Sequence, residues 1–329
     1  MITDMHAHYY GGLVDGLKRR TARPTINADD HGRLVLNAMT ASTVMSPGYT
    51  DLTARLADLD RVGIDRQLLT FPGALGVDVL PIREARDIVL EFNDVLAGIC
   101  RASAGRFVGL GGLPLDDMAE AASEMRRLRS SLGLAGAILP GNYFITAAHA
   151  DLLRPVFASA NATGALLMVH PGLMAGEAVP VPYPDNSIMR ASALNLQASL
   201  SHMALTLIAG DLLDGYPNVT FQVVNLGGTL PFIIERMEAI ARSREMSATA
   251  TTSAMRRLVY DTASLGPRAI ELAVKVIGAD RIMFGTDYPI FPPPNPVELL
   301  SATGLSASDR GLIASGTSAA VLAKLGLSA

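Results

Sequence analysis

Short, almost wholly apolar runs alternate with longer helical patterns from one end of this chain to the other. The runs are Ile2–His8, Arg66–Phe71, Phe107–Pro114, Gly136–Pro140, Ala165–His170, Thr220–Asn225, Val259–Thr262 and Arg281–Asp287. Near-continuous hydrophobicity of this kind marks parallel strands buried on both faces. The stretches between them, among them Thr53–Val62, Ile82–Ala104, Asp117–Leu132 and Ala191–Leu213, carry helical spacing. Alternation of the two implies βαβ units. Eight strands favour a closed α/β barrel, the (β/α)8 or TIM barrel, over an open doubly wound sheet. No Gly-x-Gly-x-x-Gly turn follows the first strand, which weakens the dinucleotide-binding alternative; Gly109-Leu110-Gly111-Gly112 lies inside a strand. Such barrels take about 250 residues and carry insertions well. The 329 residues therefore predict a single domain, 1–329.

One connection is too long for an ordinary βα loop. Residues 9–50 separate the first strand from the next helix and are rich in Gly, Thr, Asn and Pro. Long loops in compact domains are usually functional. This one contains Gly32-Arg33-Leu34-Val35-Leu36, a candidate short strand, and reads as a lid inserted over the barrel mouth. Val179–Pro184 and Phe291-Pro292-Pro293-Pro294 read as further loops on the same rim.

Charge and composition exclude several roles. The net charge is −4, and the basic cluster Arg126-Arg127-Leu128-Arg129 reads as one helix face, so nucleic acid is not an expected partner. No apolar run approaches the ~18 residues of a membrane span. The single cysteine, Cys100, excludes an internal disulfide and falls in an apolar helical pattern, where it packs the core. The polar motif at the start of the chain begins at Asp4, ahead of which a secretory leader of roughly 15–30 residues has no room. A cytoplasmic protein is expected.

The motif itself is Asp4-Met5-His6-Ala7-His8. Residues i and i+2 of a strand face the same side, so both imidazoles converge inside the barrel, and Asp4 shares their parity as a possible orienting partner. His170 closes the fifth strand in Leu167-Met168-Val169-His170 and Asp287 the eighth in Phe284-Gly285-Thr286-Asp287. Polar residues at strand C-termini lie on the face where barrels keep their active sites. Three imidazoles and one carboxylate suit one divalent metal, zinc first and manganese second, with a position left for water or substrate.

The chain resembles the amidohydrolase-related decarboxylases, the group that includes aminocarboxymuconate semialdehyde and dihydroxybenzoate decarboxylases. The resemblance rests on the Asp4–His8 motif, Arg55–Asp65, Arg106–Pro114, Val169-His170-Pro171, Gly227-Gly228-Thr229-Leu230-Pro231-Phe232 and Gly285-Thr286-Asp287-Tyr288-Pro289. It implies a (β/α)8 barrel with one divalent metal, usually zinc, and a homodimer or higher homo-oligomer. It also implies arginine contacts to an anionic substrate at Arg33 in the lid and at Arg236, the latter reaching into the neighbouring subunit. The chain departs from the family pattern at Asn225, where a histidine usually ends the sixth strand. Asparagine can hydrogen-bond but cannot exchange protons near neutral pH. Either acid–base work falls to Asp287, with Asn225 as a hydrogen-bonding partner, or the substrate chelates the metal directly, or the chain catalyses a different reaction. The expected function is metal-dependent decarboxylation of an aromatic or conjugated carboxylic acid. Metal-dependent hydrolysis of a C–C, ester or amide bond is the alternative. His202, early in the helix after strand five, reads as packing, and His31 and His149 carry no motif.

Overall fold

The structure is a computed structural model, and it describes residues 1–39, 41–181, 185, 187–245, 251–291 and 295–327. Eight parallel strands run in the order β1 (Thr3–His8), β5 (Arg66–Thr70), β6 (Phe107–Gly111), β7 (Gly136–Pro140), β8 (Leu166–His170), β9 (Thr220–Val223), β10 (Val259–Asp261) and β11 (Ile282–Met283). The gap in numbering is the insertion. Residues after β1 form an antiparallel sheet of β2 (Thr25–Ala28), β3 (Leu34–Asn37) and β4 (Ser42–Val44).

The barrel closes where β11 meets β1. Met5 N–H donates to the Phe284 carbonyl at 2.8 Å, Asp287 N–H to the His6 carbonyl at 2.8 Å, and His8 N–H to the Tyr288 carbonyl at 2.7 Å. Every residue of β1, β6, β7 and β8 is buried, because helices cover the outside while side chains fill the interior. The covering helices start and stop where local chemistry directs. Asp51 caps the helix Leu52–Val62 through Thr53 N–H and Ala54 N–H, and Gly63 ends it in the left-handed conformation. Asp117 caps Met118–Ser130 in the same way.

All of the strands but β7 are shorter than the sequence reading, most of all β6, which stops at Gly111, β9, which stops at Val223, and β11, which stops at Met283. Beyond β9 the positive φ of Asn225 and Leu226 turns the chain off the sheet, and Asp287 adopts the same conformation in the turn after β11. The expected single lid strand around Leu34 is the middle strand of a three-stranded sheet. The lid touches the rim: a Cβ on Gly76 would lie 3.1 Å from Met39 Cγ. Of the other expected rim loops, Pro182–Pro184 and Pro292–Pro294 lie outside the described residues. Cys100 is half-buried against the core, and burial pushes its thiol up to about 12. Among the described residues, no helix is long and apolar enough to cross a membrane.

Candidate metal centre

β1, β8 and the turn after β11 bring four side chains to one point inside the C-terminal mouth. Ligand atoms of His6, His8, His170 and Asp287 lie within 4.8 Å of one another. The three imidazole centroids are 4.8–5.3 Å apart and nearly perpendicular in pairs. His8 Nε2 is 3.2 Å and His6 Nε2 3.6 Å from Asp287 Oδ1. The strand parity of His6 and His8 therefore does what the sequence predicts.

The outer nitrogen of each ring is already committed. His6 Nδ1–H donates to Asp261 Oδ1 at 3.1 Å, His170 Nδ1–H to the Pro171 carbonyl at 3.0 Å, and His8 Nδ1 meets Thr70 Oγ1 at 2.7 Å. A carboxylate and a carbonyl only accept, so the Nε2 lone pairs of His6 and His170 are turned inward. His6 Nε2 is buried without a hydrogen-bond partner. An orphaned inward lone pair, two further imidazoles and a carboxylate are the donor set of a divalent transition metal, and the site fits one.

The ionisation of the cluster points the same way. Burial pulls His170 well below its ordinary value, and the nearby His8 and His6 lower it further. Burial also lowers His8, against the opposing pull of Asp287. Both rings are therefore neutral at neutral pH. Burial alone would lower His6, but the carboxylates of Asp261, Asp287 and Asp4 lift it to about 9. That cluster of negative charge asks for a cation, and a metal would take the place of the His6 proton. Asp287 is held below its usual range: burial raises it, and the His8 bond with the three imidazoles outweighs that.

The sequence reading gave Asp4 the task of orienting a ligand ring; the structure gives that task to Asp261. Asp4 accepts from His6 N–H (3.1 Å), Thr286 N–H (3.0 Å), Thr286 Oγ1 (2.7 Å) and Gln67 Nε2 (2.7 Å), so it fastens backbone. Asp261 ends the apolar run Val259-Tyr260-Asp261, the same signal that exposed His170 and Asp287. It also accepts from Gln222, Ala263 and the Asn225 backbone N–H. Gly285 is required here, because a Cβ on it would sit 2.9 Å from His6 Cβ and 3.0 Å from Asp261 Cβ. Asn225 donates its amide to Ser264 Oγ at 2.8 Å. Of the six non-glycine residues with positive φ among those described, Asn225, Leu226, Ser264 and Asp287 all belong to this rim.

Arg55 was legible only as a helix residue, yet it is fully buried beneath the site. It donates to the His8 carbonyl (2.6 Å), the Gly48 carbonyl (2.8 Å) and Gln67 Oε1 (2.8 Å), and lies 4.5 Å from the Tyr288 ring centroid. Gly48 packs so closely on Tyr288 that a Cβ would fall 2.0 Å from its hydroxyl. Arg33 pairs with Asp29 at 2.8 Å in the turn between β2 and β3, with its side chain 58% exposed, and no contact joins it to the cluster. Arg236 and His202 line a groove on the outer surface, together with Ser201, Leu205, Ile233 and Ile240.

Fold and site together define a metal-binding (β/α)8 barrel. The sequence matches the amidohydrolase family over residues 3–324, and the chain belongs to that family. It is 29% identical over 305 residues to gamma-resorcylate decarboxylase of Rhodococcus jostii (strain RHA1), covering 84% of this chain and 91% of that one. It is 27% identical over 245 residues to 2-amino-3-carboxymuconate-6-semialdehyde decarboxylase of Dictyostelium discoideum, covering 73% and 67%. Among solved structures, 5-carboxyvanillate decarboxylase of Novosphingobium aromaticivorans DSM 12444, complexed with manganese and 4-hydroxy-3-methoxy-5-nitrobenzoic acid, superposes with a TM-score of 0.74. The two are 21% identical, and the match covers 99% of this chain and 96% of that one.

Proposed function

We propose that this protein is a metal-dependent carboxy-lyase that removes CO2 from an aromatic carboxylic acid. The observation that carries the reading is the inward-facing set of His6, His8, His170 and Asp287, each histidine locked through Nδ1. The decarboxylase relatives supply the reaction class. The donor set suits zinc, and the structural neighbour holds manganese. When bound, the ion supplies Lewis acidity toward the substrate's oxygens.

The chain's own groups account for the proton. Asp287, kept anionic by the imidazoles, takes the proton of a phenolic hydroxyl and passes it to the ring carbon that bears the carboxylate. That carbon then releases CO2, its bonding electrons return to the ring, and a phenolate leaves. Asn225 holds the position with its amide on Ser264 and exchanges no proton.

The active form in this reading is a homodimer or larger. Phe232 is 77% and Ile240 43% exposed beside the groove that holds Arg236, and none of the four cluster residues lines that groove. An arginine so placed serves a neighbouring subunit's substrate better than its own. The test of the activity is incubation of metal-loaded enzyme with hydroxybenzoates, muconate semialdehydes and lactones in labelled water. Release of CO2 supports the reading. Label in the product oxygen without CO2 would assign the site to hydrolysis, with Asp287 activating water.

A further inference from the structure

Beside the centre lies a cavity of about 130 Å³ that the proposed chemistry leaves unused. Its described walls are Thr262 and Ser264 after β10, Leu265 and Ile270 beyond them, and Phe291, Asn295, Pro296 and Leu299 after β11. Two bonds tie it to residues of the site. Ser264 Oγ accepts the Asn225 amide at 2.8 Å, and Phe291 N–H donates to the Asp287 carbonyl at 3.2 Å. A dry apolar cavity of about 150 Å³ accepts one benzene molecule, so this one matches a single ring in size. No charged residue appears in its described lining, which is aliphatic and aromatic with two hydroxyls and an amide. Apolar walls with a few placed polar groups are the composition of a small-molecule subsite.

We propose that this cavity is a substrate subsite for a second uncharged group, up to one aromatic ring in size, carried beyond the acid-bearing ring. The proposal rests on the reading of the centre as one for aromatic acids and extends it to the substrate's far end. The acid stays at the metal cluster, where the charge is. The far group enters between the β10 and β11 turns, where nothing would pair with a charge and apolar surface is buried. Ser264 holds its position in a left-handed conformation (φ 59°), so its hydroxyl is presented by the turn and not by a flexible loop residue. Its oxygen accepts from Asn225 and leaves its own proton to donate into the cavity.

The test is calorimetric binding to metal-loaded protein, with no turnover required. Salicylate carries one ring; 1-hydroxy-2-naphthoate and 3-hydroxy-2-naphthoate carry the same acid and hydroxyl on two. The better naphthoate should bind the wild type about 10-fold more tightly than salicylate, the scale of burying part of a second ring. Leu299→Phe, which fills the cavity, should abolish that gain and leave salicylate within about 2-fold of wild type. Should Leu299→Phe fold poorly, Leu265→Phe makes the same test from the opposite wall. A gain that survives a well-folded filling variant, or no gain in the wild type, overturns the subsite. Absence of CO2 release from every acid, with the binding pattern intact, would instead sink the decarboxylase reading and leave the subsite standing.

Discussion

On the β1 side of the cluster the backbone is held through a buried cation; on the β9–β10 side left-handed turns share that work with the Asp261 carboxylate. Beneath His6 and His8, the buried Arg55 cation reaches Asp4 through Gln67, and Asp4 in turn grips Thr286 and the His6 amide. Three of the four cluster residues hang on these strand ends. Across the mouth, Asn225, Leu226 and Ser264 sit in left-handed turns; an amide–hydroxyl bond joins Asn225 to Ser264, Asp261 anchors the Asn225 and Ala263 amides, and an uncharged cavity borders them. The difference separates two demands. A metal ligand must be held to a fraction of an ångström, and buried, mutually satisfied charges do that at a desolvation cost. Substrate discrimination needs shape, and strained turns around an apolar space provide it.

The comparison breaks first at Asp287. Asp287→Asn removes a cluster carboxylate and the proton carrier together, so turnover should fall about 1,000-fold or more, with metal content reduced in elemental analysis. A variant that keeps both its metal and near-normal turnover would move the proton chemistry elsewhere.

Arg55→Met attacks the same side from below. It leaves Gln67 Oε1 and the carbonyls of His8 and Gly48 without their donor and strips Asp4 of its buried counter-charge. Burial pulls Arg55 down to about 10, still a cation at neutral pH. Denaturant unfolding should show a loss of about 3 kcal/mol, and limited proteolysis should cut the lid between residues 9 and 50 faster, since Gly48 loses its anchor. Unchanged stability would mean that the guanidinium only fills space.

Asn225→Ala tests the other side and should cost less. One polar contact of about 1.5–3 kcal/mol corresponds to a ~10- to 100-fold slowing, with metal content unchanged. A loss as large as that of Asp287→Asn would make Asn225 central to proton transfer and erase the contrast between the two sides. His202 offers no rescue as a proton carrier, because it lines the outer groove.

How much of this could be read beforehand follows the same division. The eight strands and the four cluster residues were legible, because burial on both faces and strand parity are local properties of sequence. Asp261 was legible in principle and missed; its position at the end of an apolar run carried the signal. Arg55 was not, since a charged helix residue ordinarily faces solvent, and its burial depends on the lid returning over Tyr288. The left-handed turns at Asn225 and Asp287 were hidden for a different reason: neither is glycine, and an asparagine or aspartate marks such a turn only weakly. Arg33 was assigned to substrate through resemblance, and its pairing with Asp29 could be known only once the turn had formed.

The smallest expected effect on turnover lies on neither side of the cluster and calibrates both. Asp78, in the loop after β5, is fully buried, and both its carboxylate oxygens lack a partner among the described residues. A Cβ on Gly73 would lie 3.7 Å from Asp78 Oδ2, beside the side chain of Ile138. Burial pushes this carboxyl from 3.8 up to about 8, and its own backbone N–H offsets only part of that. Asp4 is equally buried, but four hydrogen bonds restrain its rise, to about 6. The sign follows from linkage. The unfolded chain ionises Asp78 above about pH 3.8, while the fold keeps it neutral until about pH 8. The contribution of the neutral acid is fully present below the lower value and is lost as pH rises through the higher one. Asp78→Asn fixes the neutral state, so its stability relative to wild type should climb with pH between these limits, by on the order of several kcal/mol in urea unfolding. Comparing the two proteins cancels the titration of the metal cluster, which both retain. A difference that stays flat across that range would show that the fold ionises Asp78, and that burial without hydrogen bonds is not what separates it from Asp4.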